Sequence, residues 1–204
     1  MVQATIRTFG RQFWNLRIRH ANRVPRRGGV IIASNHQSFL DPPLVGSCLQ
    51  REICYMARRT LFEIPVLGRL IRMSNAFPVD RESADIKSMK TAINLLRNGE
   101  ALLVFPEGTR SEDGSLGRLK PGIRILAARA NVPVVPVLIQ GAHCVWPKGR
   151  RFPRLRGRMD IVFGKPFRVS GGDEEISTTL HDAMIALKED HGEPETREGT
   201  RAGG

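Results

Sequence analysis

Along the first twenty residues, Ile6, Phe9, Phe13 and Leu16 recur at steps of three and four, so residues 3–20 are expected to form a helix with one apolar face. Arg7, Arg11, Arg17 and Arg19 lie mostly on its other sides, and Gly10 weakens the pattern slightly. The period then changes. VIIAS (30–34) is an unbroken, largely β-branched apolar run, as expected of a strand buried on both faces of a parallel sheet. EICYMA (52–57), ALLVF (101–105), VVPVLIQ (134–140) and MDIVFGKPF (159–167) also read as strands. Pro133 and Pro136 predict an edge position or a bulge for the 134–140 strand.

Helices are expected between these runs. Asp41-Pro42-Pro43 opens one that reaches about Leu49, with Asp41 as its cap. The segment RRTLFEIPVLGRLIRMSN divides into two short helices at Pro65, and AFPVDR is a short extended piece. Residues 83–97 turn Ile86, Met89, Ile93 and Leu96 to one face and stop at Gly99. A glycine-rich loop runs from Gly108 to Gly117, and Pro121 starts a helix to about Ala130. Residues 174–189 place Ile176, Leu180, Ala183, Met184 and Leu187 inward. The fold class that follows is α/β: a single domain with a mostly parallel sheet flanked by helices, plus an N-terminal amphipathic helix. Its expected divisions are a basic helical segment over 1–22, the folded domain over 23–190, and a disordered, Gly- and charge-rich tail over 191–204.

Composition sharpens this picture. A chain of 204 residues suits one domain, and 41% hydrophobic against 6% aromatic residues predicts an aliphatic core. The net charge of +12 predicts an anionic partner. Seven arginines and no carboxylate precede Asp41, and a second basic cluster spans Lys148, Arg150, Arg151, Arg154, Arg156 and Arg158. The latter suits an acidic carrier protein, coenzyme phosphates or lipid headgroups, and equally a solvated loop. Cys48, Cys54 and Cys144 have no metal-ligand spacing and fit a reducing compartment. No apolar run approaches the ~18 residues of a spanning helix, and the N-terminus lacks the apolar stretch of a signal peptide. The expected location is cytoplasmic, peripheral on the inner face of the membrane.

Sites in such sheets gather beyond the carboxyl ends of strands. His36 and Asp41 stand there in NHQSFLD. On spacing alone two readings stand: a base with its orienting carboxylate, or a capping Asp41 beside a polar loop His36. FPEGTRS (105–111) brings Glu107 and Arg110 around Gly108, either as a phosphate grip or as a turn with a surface ion pair. Asp80 and Arg81 read likewise as a surface pair or a site, and NVPVVPVLIQG as core or the wall of an apolar groove.

Together, NHQSFLD, Arg81, FPEGTRS and VPVVPV in this order resemble the glycerolipid acyltransferase family, above all its 1-acylglycerol-3-phosphate (lysophosphatidate) acyltransferases. The likeness runs from about Val30 to Gly141. It implies transfer of an acyl chain from acyl-CoA or acyl carrier protein to the free hydroxyl of lysophosphatidic acid, with phosphatidic acid as product. It makes His36 the general base and Asp41 its partner. Arg81, Glu107, Gly108, Thr109 and Arg110 fall in the blocks associated with the glycerol phosphate. Lys120, just before a helix N-terminus, is a further phosphate candidate. A neutral imidazole suits removal of an alcohol proton, and thiolate leaves readily, so neither a metal nor another cofactor is expected.

The bilayer-bound substrate asks for a membrane contact. Ile6, Phe9, Phe13, Trp14 and Leu16 are the candidate inserting residues, with arginines at anionic headgroups. The alternative packs that stripe on the protein's own sheet. Rival readings are the same chemistry on glycerol-3-phosphate, a lysophospholipid or a lyso-aminolipid, a non-catalytic lipid-binding domain, or a nucleic-acid-binding protein. No helix-turn-helix, zinc finger or RNP signature supports the last, so no nucleic acid is expected. Oligomeric state is left open.

Overall fold

The computed structural model describes residues 2–80, 85–168 and 173–192. Seven strands form one sheet: β1 (Arg17–Arg19), β2 (Val30–Ser34), β3 (Ile53–Arg58), β4 (Ala76–Val79), β5 (Ala101–Val104), β6 (Val134–Gln140) and β7 (Asp160–Phe163). Their order is β1-β7-β6-β2-β5-β3-β4, and among the described residues only the β6–β7 pair of strands is antiparallel. The helices are α1 (Val2–Trp14), α2 (Asp41–Ser47), α3 (Pro65–Met73), α4 (Ile86–Arg97), α5 (Gly122–Ala130), α6 (Ala142–Val145) and α7 (Asp173–His191).

The unbroken apolar runs fill two layers at once, because successive residues of a strand point to opposite faces. Val30 and Ile32 of β2 join a core with Trp14, Leu44 and Val45 from α1 and α2. Ile31 and Ala33 join the opposite core, with Ile93, Leu126 and Leu180 from α4, α5 and α7. The central strand β2 is thus locked between helical layers, with β6 and β5 beside it. Its carboxyl end can move little.

Four expectations need correction. The N-terminal helix ends at Trp14, not near residue 20, since Asn15 takes a left-handed conformation (φ 40°) and the chain returns as β1 along β7. Gly10 makes that return possible: a Cβ there would stand 2.9 Å from Leu16 Cδ2, and its carbonyl accepts the Leu16 N–H. Trp14 and Leu16 are consequently core residues and not part of an exposed apolar face. Secondly, β6 is interior: of the two alternatives its prolines predicted, the edge position fails and the bulge holds. The prolines are tolerated because Pro136 sits at a bulge. Val137 faces Phe163 and Val134 faces Phe167, so three steps on β6 oppose four on its neighbour. Thirdly, Ile86 is exposed at the start of α4, where Asp85 caps the helix through the Ser88 N–H, while Ile93 and Leu96 are buried. Lastly, Asp41 is the first helical residue of α2 and not its cap. Arg81 and residues 83–84 of the expected 83–97 helix lie outside the described residues, as do residues 193–204 of the expected tail. Among the described residues no helix is long and apolar enough to cross a membrane.

Candidate active site

Just beyond the buried end of β2 the chain makes a tight turn into α2. His36 and Asp41 close that turn, with Nδ1 of the ring 2.8 Å from Asp41 Oδ2. The same oxygen accepts the backbone N–H of Gln37 at 2.6 Å and of Ser38 at 2.7 Å. A fully buried carboxylate would be costly to ionise without such donors. With three of them, the ionised acid holds the imidazole proton on Nδ1 and leaves the Nε2 lone pair free to accept. The other oxygen, Oδ1, is buried without a donor. The ring is fixed from a second side by Phe105, stacked at 4.0 Å between centroids and 19° between planes.

The β5–α5 loop wraps against this turn through backbone bonds. Ser111 N–H donates to the His36 carbonyl at 2.8 Å, and His36 N–H donates to Glu107 Oε1 at 3.2 Å. Glu107 is buried, and burial pushes its carboxyl up to about 7; the N–H groups of His36 and Gly117 pull the other way, and Asp41 adds to the rise. Arg110 lays its guanidinium over Phe39, 3.7 Å from the ring centroid, with Nη1 buried and unpartnered. Burial pulls its pKa down, against the attraction of Asp41. Gly108 takes a positive φ of 72° and passes beneath Lys120, whose Nζ would stand 2.8 Å from a Cβ built there. Lys120 and Thr109 are exposed at the rim.

The structure therefore brings together His36, Asp41, Glu107, Gly108, Thr109, Arg110 and Lys120 in one place at the carboxyl ends of β2 and β5. Arg81 lies outside the described residues. Of the five apolar residues singled out near the N-terminus, Phe9 and Phe13 are exposed at 42% and 40%, Ile6 is half-buried, and Trp14 and Leu16 are buried.

Three residues escaped sequence reasoning. Asn35 forms a two-way clamp on β6, donating to the Ile139 carbonyl at 2.8 Å and accepting the Ile139 N–H at 2.7 Å. Gln37 accepts the Ala142 N–H at 3.1 Å and donates to the Gly114 carbonyl at 2.9 Å, tying α6 to the glycine-rich loop. Phe39 carries Arg110. The available signal was a buried amide pair flanking His36 directly after an apolar strand, where polar side chains must find partners.

Residues 15–140 match the family model described as Acyltransferase. The chain is 34% identical over 159 residues to the chloroplastic 1-acyl-sn-glycerol-3-phosphate acyltransferase BAT2 of Brassica napus, which covers 76% of this chain and 46% of that protein. It is 34% identical over 153 residues to the 1-acyl-sn-glycerol-3-phosphate acyltransferase of Bacillus subtilis, covering 74% and 73% respectively. The chain thus spans less than half the length of its chloroplast relatives. The crystal structure of the 1-acyl-sn-glycerophosphate acyltransferase PlsC from Thermotoga maritima superposes with a TM-score of 0.77 at 28% identity, over 93% of this chain and 80% of that one.

Proposed function

The chain belongs to the acyltransferase family that its residues 15–140 match, and from that premise we propose that it esterifies the free hydroxyl of 1-acylglycerol-3-phosphate from an acyl thioester. The observation that carries the reading is the 2.8 Å contact of His36 with the triply hydrogen-bonded Asp41 at the end of the central strand. His36 Nε2 takes the hydroxyl proton as the oxygen attacks the thioester carbonyl. The new C–O bond forms, the C–S bond of the tetrahedral intermediate breaks, and the thiolate leaves with the proton held on Nε2. Asp41 stabilises the intervening imidazolium. No enzyme nucleophile enters, because the acceptor supplies the attacking oxygen. The donor is acyl-CoA or acyl carrier protein.

Arg110 meets the acceptor's phosphate with its unpartnered Nη1, and Lys120 and Arg81 supply further charge. Names of the relatives support lysophosphatidate as acceptor. The substrate lies in a bilayer, and α1 offers Phe9 and Phe13 with Arg11 exposed beside them for attachment to an anionic surface. Purified protein assayed with one acyl-CoA against lysophosphatidate, glycerol-3-phosphate and neutral lysophospholipids tests the reading. Phosphatidate formation that disappears in His36→Ala is expected. A preference for a phosphate-free acceptor, or parental turnover in that variant, overturns it.

A further inference from the structure

The segment from Arg150 to Arg158 reads RRFPRLRGR and joins α6 to β7 without regular structure. Phe152 and Leu155 stand 66% and 69% exposed within it. Arg150, Arg151, Arg154 and Arg156 are exposed beside them, and among the described residues none pairs with a carboxylate. A solvated loop has no reason to hold two large apolar side chains in water between four cations.

The segment is also held in place at Arg150 and at Arg154. Trp14 Nε1 donates to the Arg154 carbonyl at 2.9 Å, and Arg154 N–H donates to the Val145 carbonyl at 2.8 Å. Trp14 in turn packs edge-on against Phe9, 5.1 Å between centroids, and Phe9 against Phe13 at 4.4 Å. The exposed aromatic end of α1 and the arginine-rich segment are therefore neighbours through one tryptophan. On the other side, Trp146 Nε1 donates to the Arg150 carbonyl at 2.7 Å, and its ring lies 5.6 Å from Phe39, three residues beyond His36. Backbone contacts thus tie the 150–158 segment, which carries the exposed Phe152 and Leu155, to α1 on one side and to Trp146 at the mouth of the site on the other.

We propose that the 150–158 segment is a second membrane-inserting element: Phe152 and Leu155 enter the acyl region of an anionic bilayer while the arginines bind lipid phosphates. Aromatic and aliphatic tips flanked by cations match the layered chemistry of that surface, apolar below and anionic above. An acidic carrier protein would satisfy the arginines but leaves the two apolar tips and the segment's tie to α1 without a role. The inference extends the reading of the site as an acyltransferase. It also places lysophosphatidate at the mouth beside Phe39 without full passage through water.

The test is sedimentation of the full chain with vesicles of phosphatidylglycerol and phosphatidylcholine in equal parts, at low and high salt. The double variant Phe152→Ser, Leu155→Ser should partition about tenfold more weakly, or worse, than the parent. Circular dichroism guards against misfolding. Independently, Phe152→Trp should gain fluorescence quenching by lipids brominated on their acyl chains, relative to the parent with its two native tryptophans. Parental partitioning of the serine variant overturns the proposal, as does a Phe152→Trp variant whose added fluorescence escapes quenching. A serine variant that binds vesicles normally but loses affinity for acyl carrier protein assigns the surface to the carrier instead. Sedimentation involves no turnover, so a chain that binds vesicles through this segment but transfers no acyl group would sink the acyltransferase reading alone.

Discussion

The β2–α2 turn and the β5–α5 loop meet at His36, yet they are built on opposite terms. In the turn, the protein supplies what the chemistry needs: one Asp41 oxygen takes three donors, and the imidazole is held by a carboxylate and a ring. In the loop, two charged groups are left in want. Burial raises the Glu107 carboxyl to about 7, and among the described residues Arg110 Nη1 is buried without an acceptor. The turn holds its imidazole bonded as it stands, while the loop keeps a buried guanidinium nitrogen that, among the described residues, has no acceptor. Preorganisation belongs where bonds change, and unmet polarity belongs where a ligand binds.

The sharpest way to break that contrast is at the turn. His36→Ala should lower kcat by about 10²–10⁴-fold with a cooperative melting transition retained. Survival of turnover would remove the distinction altogether. Asp41→Asn should lower kcat by about 10–10³-fold, and should also cost about 1–3 kcal/mol of stability, because an amide cannot accept from three donors with the same strength. Denaturant unfolding and steady-state kinetics on one sample separate the two effects. At the loop the signature should invert. Arg110→Ala should raise KM for a phosphate-bearing acceptor by about 10–10²-fold, with a small change in kcat. A fall in kcat at constant KM would place Arg110 in the chemical step.

The smallest effect concerns Glu107. Its folded carboxyl lies near 7 against an ordinary 4.5, so the folded state holds a proton that the unfolded chain releases. The stability this contributes is fully present below 4.5 and is lost as pH rises through about 7. Glu107→Gln keeps a carbonyl oxygen for the His36 N–H but cannot ionise. The variant should therefore be more stable than the parent above neutrality, by on the order of 1–3 kcal/mol, and the difference should vanish in acid. A difference independent of pH would show that Glu107 is already paired in the resting loop.

Much of this was open to reading from the chain itself, for a physical reason. Strands such as VIIAS and ALLVF are buried on both faces, so their composition alone marks them, and both lie where expected. The His36–Asp41 pairing is local, only five residues apart, and needs no distant element to form. What escaped notice depends on distant partners. β1 exists only because β7, more than a hundred residues later, offers it an edge. Whether the prolines of β6 marked an edge or a bulge was settled only by β2 and β7 lying on its two sides. Asn35 looks like a loop residue until Ile139 is placed beside it. Asp41 showed the reverse failing: a sound local rule assigned it to the helix end, and the competing N–H groups of Gln37 and Ser38 claimed it instead.

The short strand β1 has a practical bearing on how attachment to lipid is measured. Removing residues 1–22 is the obvious way to delete α1, but it would also strip β1 from β7 and take Trp14 and Leu16 out of the core. The shortened chain would present a bare strand edge and a hydrophobic gap, both invitations to self-association. Clumped protein pellets whether or not vesicles are present, and so would mimic the bound fraction. Point changes at Phe9 and Phe13, which leave the strand zipped in place, avoid that artefact.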